Sequence, residues 1–309
     1  VPELPEVETV RQGLNQVTLG QAIQGGDVLL DRTIAHPFLA ADFLASITGT
    51  AIKQWHRRGK YLLAALVNAT PTNVDQNQPI DNIPPECNQA SEQKFGLVVP
   101  AGWLGVHLRM TGQLLWMRED EPLPKHCRVR LFFPQGQELR FVDQRTFGQI
   151  WWVPPSCPPE SVITGLANLG PEPFSDQFSV AYLMARLHNR KRPIKNALLD
   201  QALVAGVGNI YADEALFLSG IQPQTVAADL SPQQIEKLHA AVIQVLQDSI
   251  NARGTTFSDF RDVSGVNGNY GGLAWVYDRK GQPCHVCNGL IERVKLAGRS
   301  AHFCPTCQR

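Results

Sequence analysis

Cys284, Cys287, Cys304 and Cys307 form two Cys-x-x-Cys turns, "CHVC" and "CPTC", with sixteen residues between them. Each turn brings two thiolates to adjacent corners of a tetrahedron, so the spacing predicts one structural Zn2+ ion. Four sulfurs leave no open position for water; such a metal folds the tail and takes no part in bond breaking. The other three cysteines, Cys87, Cys127 and Cys157, are scattered, and an odd total of seven argues against a disulfide framework. The opposite end reads "VPELPEVETV". Pro2 suits the first turn of a helix, where its fixed φ helps and its missing N–H costs nothing. A chemical reading stands beside that one: a chain that loses residue 1 presents a secondary amine at Pro2, a nucleophile toward carbonyl-like carbon.

Two further stretches carry chemistry less directly. In "AGVGNIYADEA", Asn209 is expected to begin a helix and cap its free amides, with glycines 206 and 208 allowing an anion to approach the positive helix end. An ordinary helical hairpin has the same small-residue connection. In "RRGKYLL", "GVHLRMTG" and "VDQRTFGQ", Lys60 and Arg145 read singly as solvated cations and Met110 and Phe147 as core residues. Only in combination do these positions suggest a site.

The elements that must position these residues follow from apolar periodicity. Val7, Val10, Leu14 and Val17 mark a short helix. Then come "YLLAALV", "FGLVVP", "WLGVHLRM", "QLLWM", "CRVRLFF", "ELRFVD" and "GQIWWV", short segments rich in branched and aromatic residues, which predict a sandwich or barrel. Residues 69–94 are polar and proline-punctuated, a loop inserted between strands. After "VPPSCPPES" the pattern turns helical, ending in a long helix that opens on "SP" and stops at "RG". The expected fold is α+β and multidomain. It has a β-sandwich with a flanking helix over 1–152, a linker over 153–173, a helical unit over 174–272 and a four-cysteine hairpin over 273–309.

Composition narrows the partners. The 309 residues suffice for two or three domains at ~100 to 200 residues each. No apolar run reaches the ~18 residues of a membrane span, and the acidic, proline-rich start is unlike a secretory leader. The expectation is a soluble cytoplasmic protein. Formal charge is zero, yet Arg186 to Lys195 and Arg279 to Arg309 carry +5 each. Such segregation places a local positive field on a neutral body and points to nucleic acid.

Taken together, "PELPEVE", "RRGKYLL", "HLRMTG", "RTFG", "LGPEP", "AGVGNIYADE" and the cysteine tail resemble the formamidopyrimidine-DNA glycosylases, bacterial base-excision enzymes for oxidised purines. The resemblance runs from Pro2 to the last cysteine pair, interrupted mainly by the insert. It implies a β-sandwich, a helix-two-turn-helix module and a zinc finger. It implies Pro2 as the nucleophile at deoxyribose C1′, Glu3 as the adjacent acid/base, Lys60 in β-elimination and Arg299 in δ-elimination. By the same resemblance His107, His126, Lys191, Asn209 and Tyr277 contact DNA, while Met110, Arg145 and Phe147 fill the space left by an extruded lesion. Arg145 would also face the orphaned partner base, and the loop from Ser258 to Gly272 would close over the flipped one. The implied partner is double-stranded DNA containing oxidised purines, bound by a monomer at the bacterial nucleoid.

Two departures stand out. Thr146 occupies a position where the family often has a basic residue. Val1 precedes the nucleophile, and an acylated Pro2 has no basic lone pair; the expectation is that Val1 translates an alternative start codon and is removed. Two alternatives remain at this point, the related endonuclease VIII branch acting on oxidised pyrimidines, and a zinc-finger protein that binds damaged DNA without cutting it.

Overall fold

Helix α1 (Leu4–Val17) starts three residues before the spacing of its valines predicts, with Glu3 as N-cap and Pro5 in its first turn. Pro5, and not Pro2, therefore has the usual helix-opening role of proline. The computed structural model describes residues 1–69, 99–255, 262–266, 268 and 270–309. The insert expected at 69–94 lies, beyond Ala69, outside the described residues, as do 95–98 of the expected strand "FGLVVP".

Eleven strands are described. Those of the first half are β1 (Gly25–Val28), β2 (Ile34–His36), β3 (Thr50–Arg58), β4 (Tyr61–Asn68), β5 (Pro100–His107), β6 (Gly112–Arg118), β7 (Cys127–Phe133), β8 (Gln137–Asp143) and β9 (Gln149–Val153), with helix α2 (Ala40–Ile47) between β2 and β3. They form a four-stranded sheet, β1-β7-β8-β6, facing a five-stranded sheet, β2-β9-β5-β4-β3. β1, β2, α2 and β3 escape the apolar pattern. The first two are only four and three residues long, and β3 carries a bulge between Ile52 and Gln54 that breaks its alternation.

Short helices α3 (Pro159–Val162) and α4 (Thr164–Ala167) lead into α5 (Val180–Leu187), α6 (Ile194–Leu198), α7 (Asn209–Leu218) and α8 (Pro232–Asn251). Ser231 caps α8 through a capping box with Gln234. The chain ends in the antiparallel hairpin β10 (Glu292–Leu296) and β11 (Arg299–Phe303). Among the described residues no helix is long and apolar enough to cross a membrane.

α1 joins the two main cores. Val7, Val10 and Leu14 pack with Trp55, Leu104, Val129 and Phe141 between the sheets, whereas Leu4 belongs to the core formed by α5 to α8. Each such apolar side chain stabilises the fold by ~1.5–3 kcal/mol when fully buried. The Trp55 N–H donates to Asn15 Oδ1 at 2.8 Å, and the Trp55 indole N–H donates to Thr18 Oγ1 at 2.9 Å, which fixes α1 on β3. The result holds Pro2 and Glu3 at the junction of sandwich and helical unit.

Candidate active site and nucleic-acid interface

Gly206 and Gly208 explain how the N-terminal segment reaches the cleft. The Leu4 N–H donates to Gly206 O at 3.2 Å. A Cβ on Gly206 would meet Leu4 Cδ1 at 2.6 Å, and one on Gly208 would meet Glu3 Cδ at 2.2 Å. Gly206 thus makes room for Leu4, and Gly208 for the chain's own Glu3 carboxylate, which sits at the end of α7. The expected Asn209 cap is corrected. Gly208 is the N-cap of α7 and makes no side-chain cap, while Glu3 Oε1 accepts the Ile210 N–H at 3.1 Å. A carboxylate so placed also sits at the positive end of the helix dipole.

Glu3 is 2% exposed, and its other oxygen, Oε2, is buried without a hydrogen-bond partner among the described residues. A buried carboxylate oxygen without such a partner is uncommon in a folded protein, and this one lies beside Pro2 in the lining of the cleft. Glu6 sets the backbone beneath it: Glu6 Oε2 accepts the Glu3 N–H at 2.8 Å, and Oε1 accepts the Tyr211 hydroxyl at 2.5 Å and the Thr255 N–H at 2.8 Å. Burial first, then the Glu3 carboxylate, hold the Glu6 carboxyl above its usual range.

Lys60 occupies the two-residue turn between β3 and β4, after Gly59 at φ 56°. Sequence favoured a solvated lysine; the side chain instead is partly buried in the cleft wall. Burial pushes its ammonium pKa down, the Arg299 guanidinium adds to this, and the Glu3 and Glu6 carboxylates oppose it. The turn itself is clamped by Glu172 of "LGPEP", which accepts the Gly59 N–H at 2.6 Å and hydrogen bonds from Arg57 and Arg58 at 2.7 and 3.0 Å.

A cavity of about 820 Å³ brings together Pro2, Glu3, Lys60, His107, Met110, Phe147, Asn209, Tyr277 and Arg299. These come from both ends of the chain and both main units. His107 Nδ1 accepts the Arg109 N–H at 2.9 Å, and its ring packs edge-on to Tyr61 with centroids 4.4 Å apart. Burial, then the Arg109 and Lys60 cations, push the His107 pKa down to about 3. His107 is accordingly neutral, with the proton on Nε2 as a donor.

Three expected residues lie outside that cavity. Arg145 is exposed and stacks its guanidinium 5.1 Å from the centre of the Phe147 ring. His126 is half-buried with Arg128 Nη2 3.3 Å from its Nδ1, and Lys191 is exposed. Phe147 is 53% exposed and so is not the core residue its type suggests. Asp143, which sequence reasoning passed over, shapes this loop: its carboxylate accepts the Gly148 N–H at 2.7 Å, the Arg145 N–H at 3.2 Å and the Thr111 hydroxyl. Thr146 follows at φ 58°, a rare conformation for a β-branched residue, and the Arg32 guanidinium donates to its hydroxyl. Of the expected loop 258–272, residues 258–261, 267 and 269 lie outside the described residues. Its Val263 is 3% exposed, packs in the sandwich core, and accepts the Trp116 N–H at 2.9 Å.

The four cysteine sulfurs lie within 4.8 Å of one another. Cys284 and Cys307 sulfurs are 3.9 Å apart, and those of Cys287 and Cys304 3.4 Å. A tetrahedral zinc with ~2.3 Å bonds needs sulfur pairs ~3.8 Å apart, so the residues fit one structural Zn2+. The Gly289 N–H donates to Cys287 Sγ and, as the largest cause, lowers that thiol to about 7, toward the thiolate a metal requires.

Comparisons with known proteins place the chain among its relatives. A model of the formamidopyrimidine-DNA glycosylase N-terminal domain matches residues 1–150, its H2TH domain residues 169–261, and a zinc finger found in FPG and IleRS residues 281–309. The formamidopyrimidine-DNA glycosylase of Nostoc sp. is 61% identical over 308 residues, covering 100% of both chains, and that of Trichormus variabilis is 60% identical with the same coverage. Among solved structures, MutM (Fpg) of Thermus thermophilus is 36% identical, with TM-score 0.79 over 99% of this chain and 98% of that one. Wild-type Lactococcus lactis Fpg, in complex with DNA containing N7-benzyl-Fapy-dG, is 31% identical, with TM-score 0.81 and complete coverage of both.

Sandwich, H2TH module and zinc finger, with a proline segment at their meeting point, define a DNA glycosylase of base excision repair. The chain belongs to the formamidopyrimidine-DNA glycosylase family. It is a bifunctional DNA glycosylase and AP lyase acting on oxidised purines, with a zinc finger, as its sequence suggested.

Proposed function

We propose that this enzyme works on double-stranded DNA carrying formamidopyrimidines or 8-oxoguanine, and that the residues gathered in the cleft divide the reaction as follows. The Pro2 nitrogen attacks C1′ of the extruded nucleotide, the glycosidic electron pair leaves with the base, and the proton shed by the nitrogen is passed to the departing base. Glu3 gives a proton to the ring oxygen as the C1′–O4′ bond breaks, leaving an open-chain iminium. Loss of a C2′ proton then expels the 3′ phosphate, with Lys60 in the β-elimination. A second elimination expels the 5′ phosphate, with Arg299 balancing the departing negative charge.

The observation that carries this reading is the docking of Glu3 against Gly208 and the Ile210 N–H, with Oε2 left unpaired inside the cleft. His107, His126, Lys191, Asn209 and Tyr277 supply contacts to the DNA, and Met110, Arg145 and Phe147 the wedge, Arg145 toward the unpaired partner base. Bound zinc supplies rigidity to the hairpin that carries Arg299. The helical unit spans 174–272, after a linker over 153–173.

Covalent chemistry requires a Pro2 nitrogen that Val1 no longer acylates. Borohydride reduction in the presence of duplex containing 8-oxoguanine, with intact mass measured on the same preparation, tests this. The expected result is a mature chain beginning at Pro2 and a trapped adduct on that residue. Efficient cutting by protein that retains Val1, with no adduct, would overturn it.

A further inference from the structure

Helix α7 is buried on every side from Ile210 to Phe217, yet it holds two consecutive acids, Asp213 and Glu214, each 0% exposed. Burying a carboxylate is costly unless partners offset the lost water, and these two turn to different parts of the C-terminal unit. Asp213 Oδ2 accepts the His302 N–H at 2.9 Å and faces His302 Nδ1 at 3.2 Å. Asp213 Oδ1 lies 2.6 Å from the Lys195 ammonium, which also donates to Ser300 O. Glu214 accepts three successive backbone N–H groups, from Trp275 at 2.8 Å, Val276 at 3.0 Å and Tyr277 at 2.9 Å.

The first turn of the same helix holds the other end of the chain, through Ile210 N–H to Glu3 and the Tyr211 hydroxyl to Glu6. Only ~4.5 Å of helix separates Ile210 from Asp213 at 1.5 Å per residue. α7 is thus a rigid spacer with the Pro2 segment fixed at one turn, and the strand of Arg299 and the turn of Tyr277 fixed at the next.

We propose that Asp213 and Glu214 are positioning residues that index Arg299 and Tyr277 to Pro2 for strand cleavage. The inference rests on the reading of Arg299 given above. Asp213→Glu keeps the charge facing Lys195 but lengthens the arm by one methylene, and so displaces β11. Glu214→Gln replaces one acceptor of the 275–277 turn by a donor.

The test is single-turnover cleavage of an abasic duplex, scoring β against β,δ products, together with zinc content and amide hydrogen exchange, for both variants and Arg299→Ala. Asp213→Glu is expected to retain zinc and β-elimination within about threefold while δ-elimination falls about 10- to 100-fold, the scale of an ångström-sized misplacement. Amides 299–302 should exchange faster in that variant, and amides 275–277 in Glu214→Gln. A wild-type product ratio in a zinc-bound Asp213→Glu enzyme overturns the proposal. Loss of zinc there counts against it too, because the acid is then a folding element. If Arg299→Ala leaves the ratio unchanged, the role of Arg299 falls, and wild-type exchange at 299–302 in Asp213→Glu then overturns the positioning as well.

Discussion

His107 shows how folding alone sets the protonation of a single side chain. An unfolded histidine titrates near 6.5, whereas His107 in the folded chain stays neutral down to about 3. Between these values the unfolded state holds the extra proton, so acid draws the equilibrium toward unfolding by ~1.4 kcal/mol for each pH unit. Sign and window follow from a depressed folded pKa: the penalty is absent above 6.5 and grows as pH falls toward 3. Replacing the imidazole by glutamine removes it. Between pH 7.5 and 4.5, His107→Gln should gain about 2–3 kcal/mol relative to the parent protein, read by urea unfolding at both pH values. Equal pH slopes for the two proteins would show that the imidazole is solvated and charges normally. The sequence showed a histidine in a strand pattern, but the Arg109 N–H on Nδ1 and the Tyr61 ring come from a turn and a neighbouring strand. No local signal announces them.

At the scale of elements, the junction between α1 and α7 depends on a missing side chain. Gly208 has φ −131°, a conformation open to any residue, so alanine there brings no backbone strain and only its Cβ against Glu3. Gly208→Ala should reduce base excision about 100-fold through displacement of the acid. Its melting temperature should fall by no more than ~4 °C, since neither main core is touched. Pre-steady-state base release alongside calorimetry checks both, and undiminished release would mean that Glu3 relaxes without consequence. This junction also marks how far the sequence was legible. Strands β4 to β9, helices α1 and α5 to α8 and the zinc ligands followed from period and spacing, because their causes lie within a few residues. The Glu3 to Ile210 bond joins residues 207 positions apart, and an acid in "PELPEVE" looks like any first-turn carboxylate. Asp213 and Glu214 were invisible for a related reason: on paper they mark a solvated face, and only tertiary packing turns that face inward. The roles expected of Lys60 and Arg299 came from resemblance, not from their types or spacing, whereas the amine chemistry of Pro2 was one of two readings of its type and place.

For the whole molecule, the zinc hairpin is the part whose stability is least its own. Its small core unites Phe217, Val276, Cys284, Ile291 and Cys304, whereas the sandwich and helical cores have none of its cysteines. Metal removal should therefore unfold the tail and spare the rest, in contrast to small zinc domains that unfold completely without metal. Much positive charge goes with it, because Arg279 to Arg309 carries a net +5 on a chain of zero net charge. Each phosphate that the protein ceases to neutralise lowers the slope of log K against log salt by ~0.9. Apo protein prepared with a chelator should keep its α-helical circular dichroism, bind duplex more weakly at low salt, and show a slope reduced by about two to four. The basic run from Arg186 to Lys195 remains, so binding should weaken and not vanish. A slope unchanged by chelation would place the phosphate contacts on the helical unit and sandwich alone, and would leave the zinc hairpin only the task of presenting Arg299.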